Sequence, residues 1–150
     1  MINIREANKT DHPDIVAFQL KMAKETENLD LDPDLVNKGV MAVFDDYCKG
    51  TYYVAESAQE LIASMLLTRE WSDWRNGWVL WFQSVYVVAG HRSTGVFKKM
   101  YLFIREKVNN SADLKGLRLY VDQTNLPANR VYQALGMSAE HYRMFEWMKE

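Results

Sequence analysis

Apolar and polar residues alternate along this chain with two different periods, and the switches between them mark out its elements. Ile2–Asn3–Ile4–Arg5 has the two-residue period of a short strand. After Asp11 and Pro13, a helix-start signal, Ile15, Val16, Phe18, Gln19, Met22 and Ala23 recur at helical spacing, with Lys21, Lys24 and Glu25 on other faces. A second helix is predicted where Asp32 can cap orphan amides, Pro33 suits the first helical position and Asp34 meets the positive end of the dipole. Its stripe is Val36, Val40, Val43, Phe44 and Tyr47, and Lys49–Gly50 supplies the stop. Thr51–Glu56 and Leu61–Thr68, parted by the polar turn Ser57–Glu60, read as a hairpin. Trp78–Val88 is apolar at nearly every position and predicts a strand buried on both faces. Phe97, Met100, Tyr101, Ile104 and Val108 then mark a helix, and Leu117–Val121 a strand. Asn125 caps a helix bearing Ala128, Val131, Tyr132 and Leu135, and Met144–Met148 is expected as a last strand. The order β-αα-βββ-α-β-α-β predicts an α+β fold with helices on both faces of a mixed sheet.

Two stretches carry candidate chemistry. In the first, Val85–Tyr86–Val87–Val88–Ala89–Gly90–His91–Arg92–Ser93–Thr94–Gly95–Val96–Phe97 reads as strand, tight turn and helix start. Open amides at such a start, with the helix dipole behind them, favour an anion. Gly95 permits close backbone approach or a positive φ, and His91, Arg92, Lys98 and Lys99 form a basic collar. The turn suits a pyrophosphate but carries neither the dinucleotide fingerprint nor a P-loop; an ordinary βα turn with a solvated collar fits the same residues. In the second stretch, Asn125–x–x–Ala128–x–x–x–Tyr132–x–x–x–Gly136 places Ala128 and Tyr132 on one helix face beneath the capping Asn125. By itself this is equally the pattern of a packed tyrosine with its hydroxyl at the surface.

Taken together, the two stretches resemble the GNAT superfamily of acyl-CoA-dependent N-acyltransferases, over essentially the whole chain. The family's phosphate-loop pattern, Gln/Arg–x–x–Gly–x–Gly/Ala, is matched by Arg92–Ser93–Thr94–Gly95–Val96–Phe97 except at Phe97, and the Asn–x–x–Ala–x–x–x–Tyr–x–x–x–Gly pattern is matched in full. The resemblance implies a single domain over 1–150, with a mixed, mostly antiparallel central sheet. It also implies acetyl-CoA as cosubstrate. Val85 and Val87 would pair with the pantetheine arm; the amides of Arg92, Ser93, Thr94, Gly95, Val96 and Phe97 would hold the pyrophosphate, with Asn125 and Asn129 as further cofactor contacts. Phe97, too large to face phosphates, is expected to turn toward the core.

Direct acyl transfer needs a neutral amine, because an alkyl ammonium with a pKa of about 10 has no lone pair. It also needs a donor for the developing oxyanion and an acid for the departing thiolate. Tyr132 matches the family's helix tyrosine and is the candidate acid. Relatives resembling spermidine/spermine acetyltransferases carry a Glu-Asp pair where this chain has Gln83 and Ser84, so the candidate bases are Glu25 and Glu27 at the end of the first helix. The resemblance places the acceptor between the opening helices and the strands opposite the cofactor. There the acids of Glu25–Asp34, and Glu70, Trp71, Asp73 and Trp74, suit a small, cationic, polyamine-like amine through ion pairing and cation–π contact, with Trp71 and Trp74 as acceptor contacts. A peptide N-acetyltransferase, or an acyl-CoA-binding module without turnover, are the alternatives.

Composition narrows this further. The 150 residues contain 48% hydrophobic and 25% charged positions, which is globular composition. A formal charge of −2 gives no reason to expect nucleic acid as partner. No stretch is apolar enough for a membrane span, Met1–Asp14 is too polar for a signal peptide, and a cytoplasmic setting is expected. The one cysteine, Cys48, is expected to be a small buried residue, and His12, His91 and His141 lack metal-ligand spacing, so no metal is expected. Dimerisation is common in the family. The aromatic content of 13% includes Trp71, Trp74, Trp78 and Trp81 in one short stretch.

Overall fold

A computed structural model describes residues 1–150. They form two compact units, Met1–Arg118 and Leu119–Glu150. The first unit holds strand β1 (Asn3–Glu6), helices α1 (His12–Glu27) and α2 (Pro33–Asp45), strands β2 (Thr51–Ser57), β3 (Glu60–Ser72) and β4 (Gly77–Val87), helix α3 (Val96–Asn109) and strand β5 (Leu114–Arg118). The second contains helix α4 (Leu126–Ala134). The strands form one five-stranded sheet in the order β1-β2-β3-β4-β5, antiparallel except for the parallel β4–β5 pair.

Alternation along β2 shows how the two faces are covered. Tyr52 and Val54 point to one face, where they pack with Ile15 of α1 and Val40 of α2. Tyr53 points to the other, where its ring lies 6.1 Å from that of Phe103 on α3. Helices therefore cover both faces, as the apolar stripes predict. Ile15, Met100 and Ile104 are fully buried, each contributing on the order of 2 kcal/mol by transfer from water. The Asp32 cap is formed as expected, with Oδ1 accepting from the amides of Asp34 (2.9 Å) and Leu35 (3.4 Å).

Several expectations are corrected. The first hairpin is longer than predicted, because β3 continues to Ser72. The strand expected at Leu117–Val121 is shifted to Leu114–Arg118, where it meets Trp78–Trp81 of β4. Gly77 allows that approach: a Cβ there would lie 2.7 Å from the Asp113 carbonyl and 2.5 Å from the Lys115 side chain. Met144–Met148 forms no strand; alternation supplies the capacity for one, but no ladder partner pairs with it. Cys48 is exposed, in a short 3-10 turn after α2, with its amide donating to Asp46.

Candidate active site

The site is built around the end of β4. Pairing with β3 runs from Ser72↔Gly77 to Leu66↔Gln83 and resumes at Ser64↔Tyr86, so β4 carries one extra residue there. Ser84 absorbs it with φ 49°, a left-handed conformation that turns the strand. On the other side β5 pairs only with Trp78–Trp81 and leaves β4 beyond that point. The amide of Val88 donates to Ile62 of β3 (2.9 Å), so by alternation the peptide groups of Val87 and Val85 face the opposite edge, past the end of β5. An open edge of this kind accepts an extended chain by strand addition.

Beyond Val87 the chain makes a 3-10 turn at Ala89–His91, then passes through Ser93 (φ 63°) and Gly95 (φ 85°) into α3. Gly95 is the N-cap and no side chain caps the helix; its first amides are left for an anion. A Cβ at Gly95 would meet nothing within 4 Å, so glycine is required there by φ and not by space. Phe97 turns to the sheet, its ring 6.2 Å from Phe82 and 6.4 Å from Tyr101. The aromatic cluster fills the α3 face of the sheet beneath the turn.

The other face of β4 is polar. Tyr86 stacks on Phe18 of α1 at 5.2 Å and donates its hydroxyl to Glu25 (3.1 Å). Glu25 also accepts from Arg92 Nη2, and Arg92 Nε donates to the Val87 carbonyl (2.8 Å). One carboxylate thus joins the end of α1, β4 and the turn. The Arg92 guanidinium holds Glu25 below the usual carboxylate range, and burial, reinforced by Glu25, raises the Tyr86 hydroxyl. Glu27 is exposed at the last turn of α1.

Farther along the same face, Gln83 donates to Thr68 (2.5 Å), and Glu70 accepts from Trp81 Nε1 (2.7 Å) and from Arg118 Nη1 (2.8 Å). The Trp81 donor, with Arg118 beside it, lowers the Glu70 carboxyl. Glu70 and Trp71, expected together at the acceptor, lie on opposite faces, as adjacent strand residues do. Trp71 packs edge-on against Trp78 at 5.0 Å, and Trp74 lies exposed in the β3–β4 turn. Sequence reasoning does not bring Thr68, Trp81 and Arg118 together with Glu70 and Gln83; the available signal is the polar run Thr68–Arg69–Glu70 at the end of an otherwise apolar strand. A cleft of about 680 Å³ lies on the α3 face, lined by Tyr47, Tyr53, Arg69, Phe103 and Lys107 among others, away from the turn.

In the second unit, Asn125 caps α4 by accepting from the Ala128 amide (3.2 Å). Asn129 Nδ2 donates to the carbonyls of Asn125 (2.8 Å) and Asp122 (3.2 Å), fixing the loop before the helix. Tyr132 is part-buried, and that burial raises its hydroxyl above the ordinary value. No helix is long and apolar enough to cross a membrane, and no group of three His, Cys, Asp or Glu side chains is gathered to hold a metal ion.

Residues 19–137 match the model of the acetyltransferase (GNAT) family, and the chain belongs to that family. It is similar to a protein of Clostridium difficile 630 described as "a possible acetyltransferase", with 39% identity, 100% of this chain and 99% of that chain covered, and a TM-score of 0.92. Its fold is also that of the aminoglycoside N-acetyltransferase AAC(6')-Iy in complex with CoA, at 17% identity, 99% and 95% coverage and a TM-score of 0.77. The ribosomal-protein-alanine N-acetyltransferase of Brucella melitensis biovar Abortus 2308 shares the fold at 11% identity, 99% and 100% coverage and a TM-score of 0.80. No curated protein matches the chain.

Proposed function

We propose that residues 1–150 act as one acetyl-CoA-dependent N-acetyltransferase domain whose acceptor is the primary amine of a small molecule. The observation that carries this reading is the end of β4: an open edge at Val85 and Val87 leading directly into uncapped amides at Gly95–Phe97. Acetyl-CoA supplies the acyl thioester. Val85 and Val87 offer backbone partners to the pantetheine arm, and a backbone amide of that strand is the oxyanion donor. The Arg92 amide closes the 3-10 turn by donating to the Ala89 carbonyl (3.3 Å), so the amides of Ser93, Thr94, Gly95, Val96 and Phe97 are the ones proposed to hold the pyrophosphate, a fit supported by the left-handed Gly95 and by Phe97 turning away. Asn125 and Asn129 are further proposed cofactor contacts in the second unit. The Val87 carbonyl is already engaged by Arg92, so the arm relies on the remaining groups of that edge.

Tyr132 is the proposed acid for the thiolate; a tyrosine hydroxyl is protonated at neutral pH, and burial raises this one further. Glu25 and Glu27 are the proposed carboxylates for the acceptor's proton. Glu25 is ionised but weakly basic beside Arg92, and its contact with the Tyr86 hydroxyl offers a relay. Trp74, exposed in the β3–β4 turn, is the proposed aromatic contact at the hairpin end, whereas Trp71 packs against Trp78 on the α3 face, away from the polar side. The acidic run Glu25–Asp34 is what argues for a cationic, polyamine-like acceptor. The experiment is a thiol-release assay over a broad amine panel, with calorimetry for acetyl-CoA. Tyr132→Phe is expected to lower turnover by about tenfold or more while leaving acetyl-CoA affinity intact. Unchanged turnover removes the acid role, and binding without thiol release on any amine turns the assignment to an acyl-CoA-binding module.

A further inference from the structure

The polar floor on the α1/α2 face of β3, β4 and β5 has a charge arrangement that bears on the acceptor. It is continuous with the proposed reacting edge, since Gln83 stands immediately before the Ser84 bulge and Tyr86 after it, on the same face. The opposite face at this level is filled by Phe82, Phe97 and Tyr101, so an acceptor reaches a thioester on the β4 edge from the polar side. Along that side run a neutral hydrogen-bonded pair, Thr68–Gln83, and then Glu70, which is paired with Arg118, anchored by the Trp81 indole and faced at longer range by Arg75. The ion pair is accessible, its side chains 41% (Glu70) and 30% (Arg118) exposed, so a bound molecule can meet it. A carboxylate already paired with a guanidinium offers little to an ammonium at its far end, and a guanidinium paired with a carboxylate offers as little to an acid.

We infer that the Glu70–Arg118 pair, held in place by Trp81, is a specificity-determining element that balances charge at the far end of the acceptor site. The site therefore takes an amine whose remainder is uncharged and hydrogen-bonding, of the amino-alcohol or amino-sugar kind, in preference to a polyamine or an amino acid. This rests on the acetyltransferase reading and replaces its polyamine-like acceptor, because acids of the Glu25–Asp34 run are themselves paired, Glu25 with Arg92 and Asp30 with Lys24. Opening the pair from either side shifts the preference in opposite directions. Glu70→Gln removes one negative charge and favours an acceptor ending in a carboxylate; Arg118→Gln removes one positive charge and favours a diamine.

The test uses three acceptors of equal carbon count: propanolamine, diaminopropane and β-alanine. Their binding to the CoA-loaded protein is measured by calorimetry, and kcat/KM is recorded with acetyl-CoA in parallel. Wild type is expected to favour propanolamine. Glu70→Gln should raise the β-alanine to diaminopropane ratio by about fivefold, and Arg118→Gln should lower it by about as much. The double variant, charge-balanced again, should return the ratio to near the wild-type value. Ratios within one protein are insensitive to a partial loss of folded material. Ratios that fail to move in opposite directions, or no binding of any of the three, overturn the inference. Intact binding ratios with no thiol release leave it standing and sink the acetyltransferase reading instead.

Discussion

At Asp11 one carboxylate does the work of three contacts. It accepts from Arg5 Nη1 (2.7 Å), from Arg5 Nη2 (2.9 Å) and from the Asn8 amide (2.8 Å), tying β1 to the start of α1. The Arg5 guanidinium holds its pKa below the ordinary value. A depressed carboxylate contributes stability that is present above the unfolded-state pKa and lost as pH falls through the folded one. Asp11→Asn should therefore cost about 1–3 kcal/mol at neutral pH, and the gap to wild type should close in acid, below about pH 4. Thermal melts of both proteins across a pH series check this; a gap independent of pH refutes it. Asp11 and Pro13 are legible in the sequence as a helix start, but the bidentate bond to Arg5 is not, because it depends on where β1 lies. The same holds for Glu70 and Arg118, whose meeting depends on the register of three strands.

Among the elements, the passage from β4 through the turn to α3 combines parts that sequence reveals and parts that it hides. The apolar run of Trp78–Val88 and the glycine before the Phe97–Val108 stripe announce strand, turn and helix, and the structure has all three. The Ser84 bulge is invisible in the sequence, because a bulge is a mismatch between two strands and not a property of either. Without that count, the outward direction of Val85 and Val87 could be drawn only from family resemblance. Gly95 carries the turn's main conformational demand. Gly95→Ala, strained at φ 85° by about 1–2 kcal/mol, should weaken acetyl-CoA binding several-fold in calorimetry. Gly39→Ala, within α2 and with nothing within 4 Å of its Cβ, should leave that affinity unchanged and add about 0.5–1 kcal/mol of stability. Equal affinities for Gly95→Ala and wild type would show that the turn's geometry does not matter to the cofactor.

On the scale of the whole molecule, net charge stays near zero, and in the site too Glu25 and Glu70 are each paired with an arginine. The family was legible because its two motifs are local in sequence; the acceptor was not, because its floor is assembled across strands. Since the amine must arrive neutral, kcat/KM for a given acceptor should rise about tenfold per pH unit and level off near that amine's own pKa, about 10. A profile that levels off near neutrality instead would place the limiting proton on the protein. The arrangement of strands also bears on how the molecule assembles itself. Neighbours β2, β3 and β4 are joined by short turns and close at small entropic cost, whereas β5 reaches Trp78 only after all of α3 has been traversed. The parallel seam, like the β1–β2 pairing across α1 and α2, is thus a nonlocal closure of the sheet, and the edge beside which the cofactor is proposed to lie is bordered by a pairing that forms only when distant parts of the chain have met.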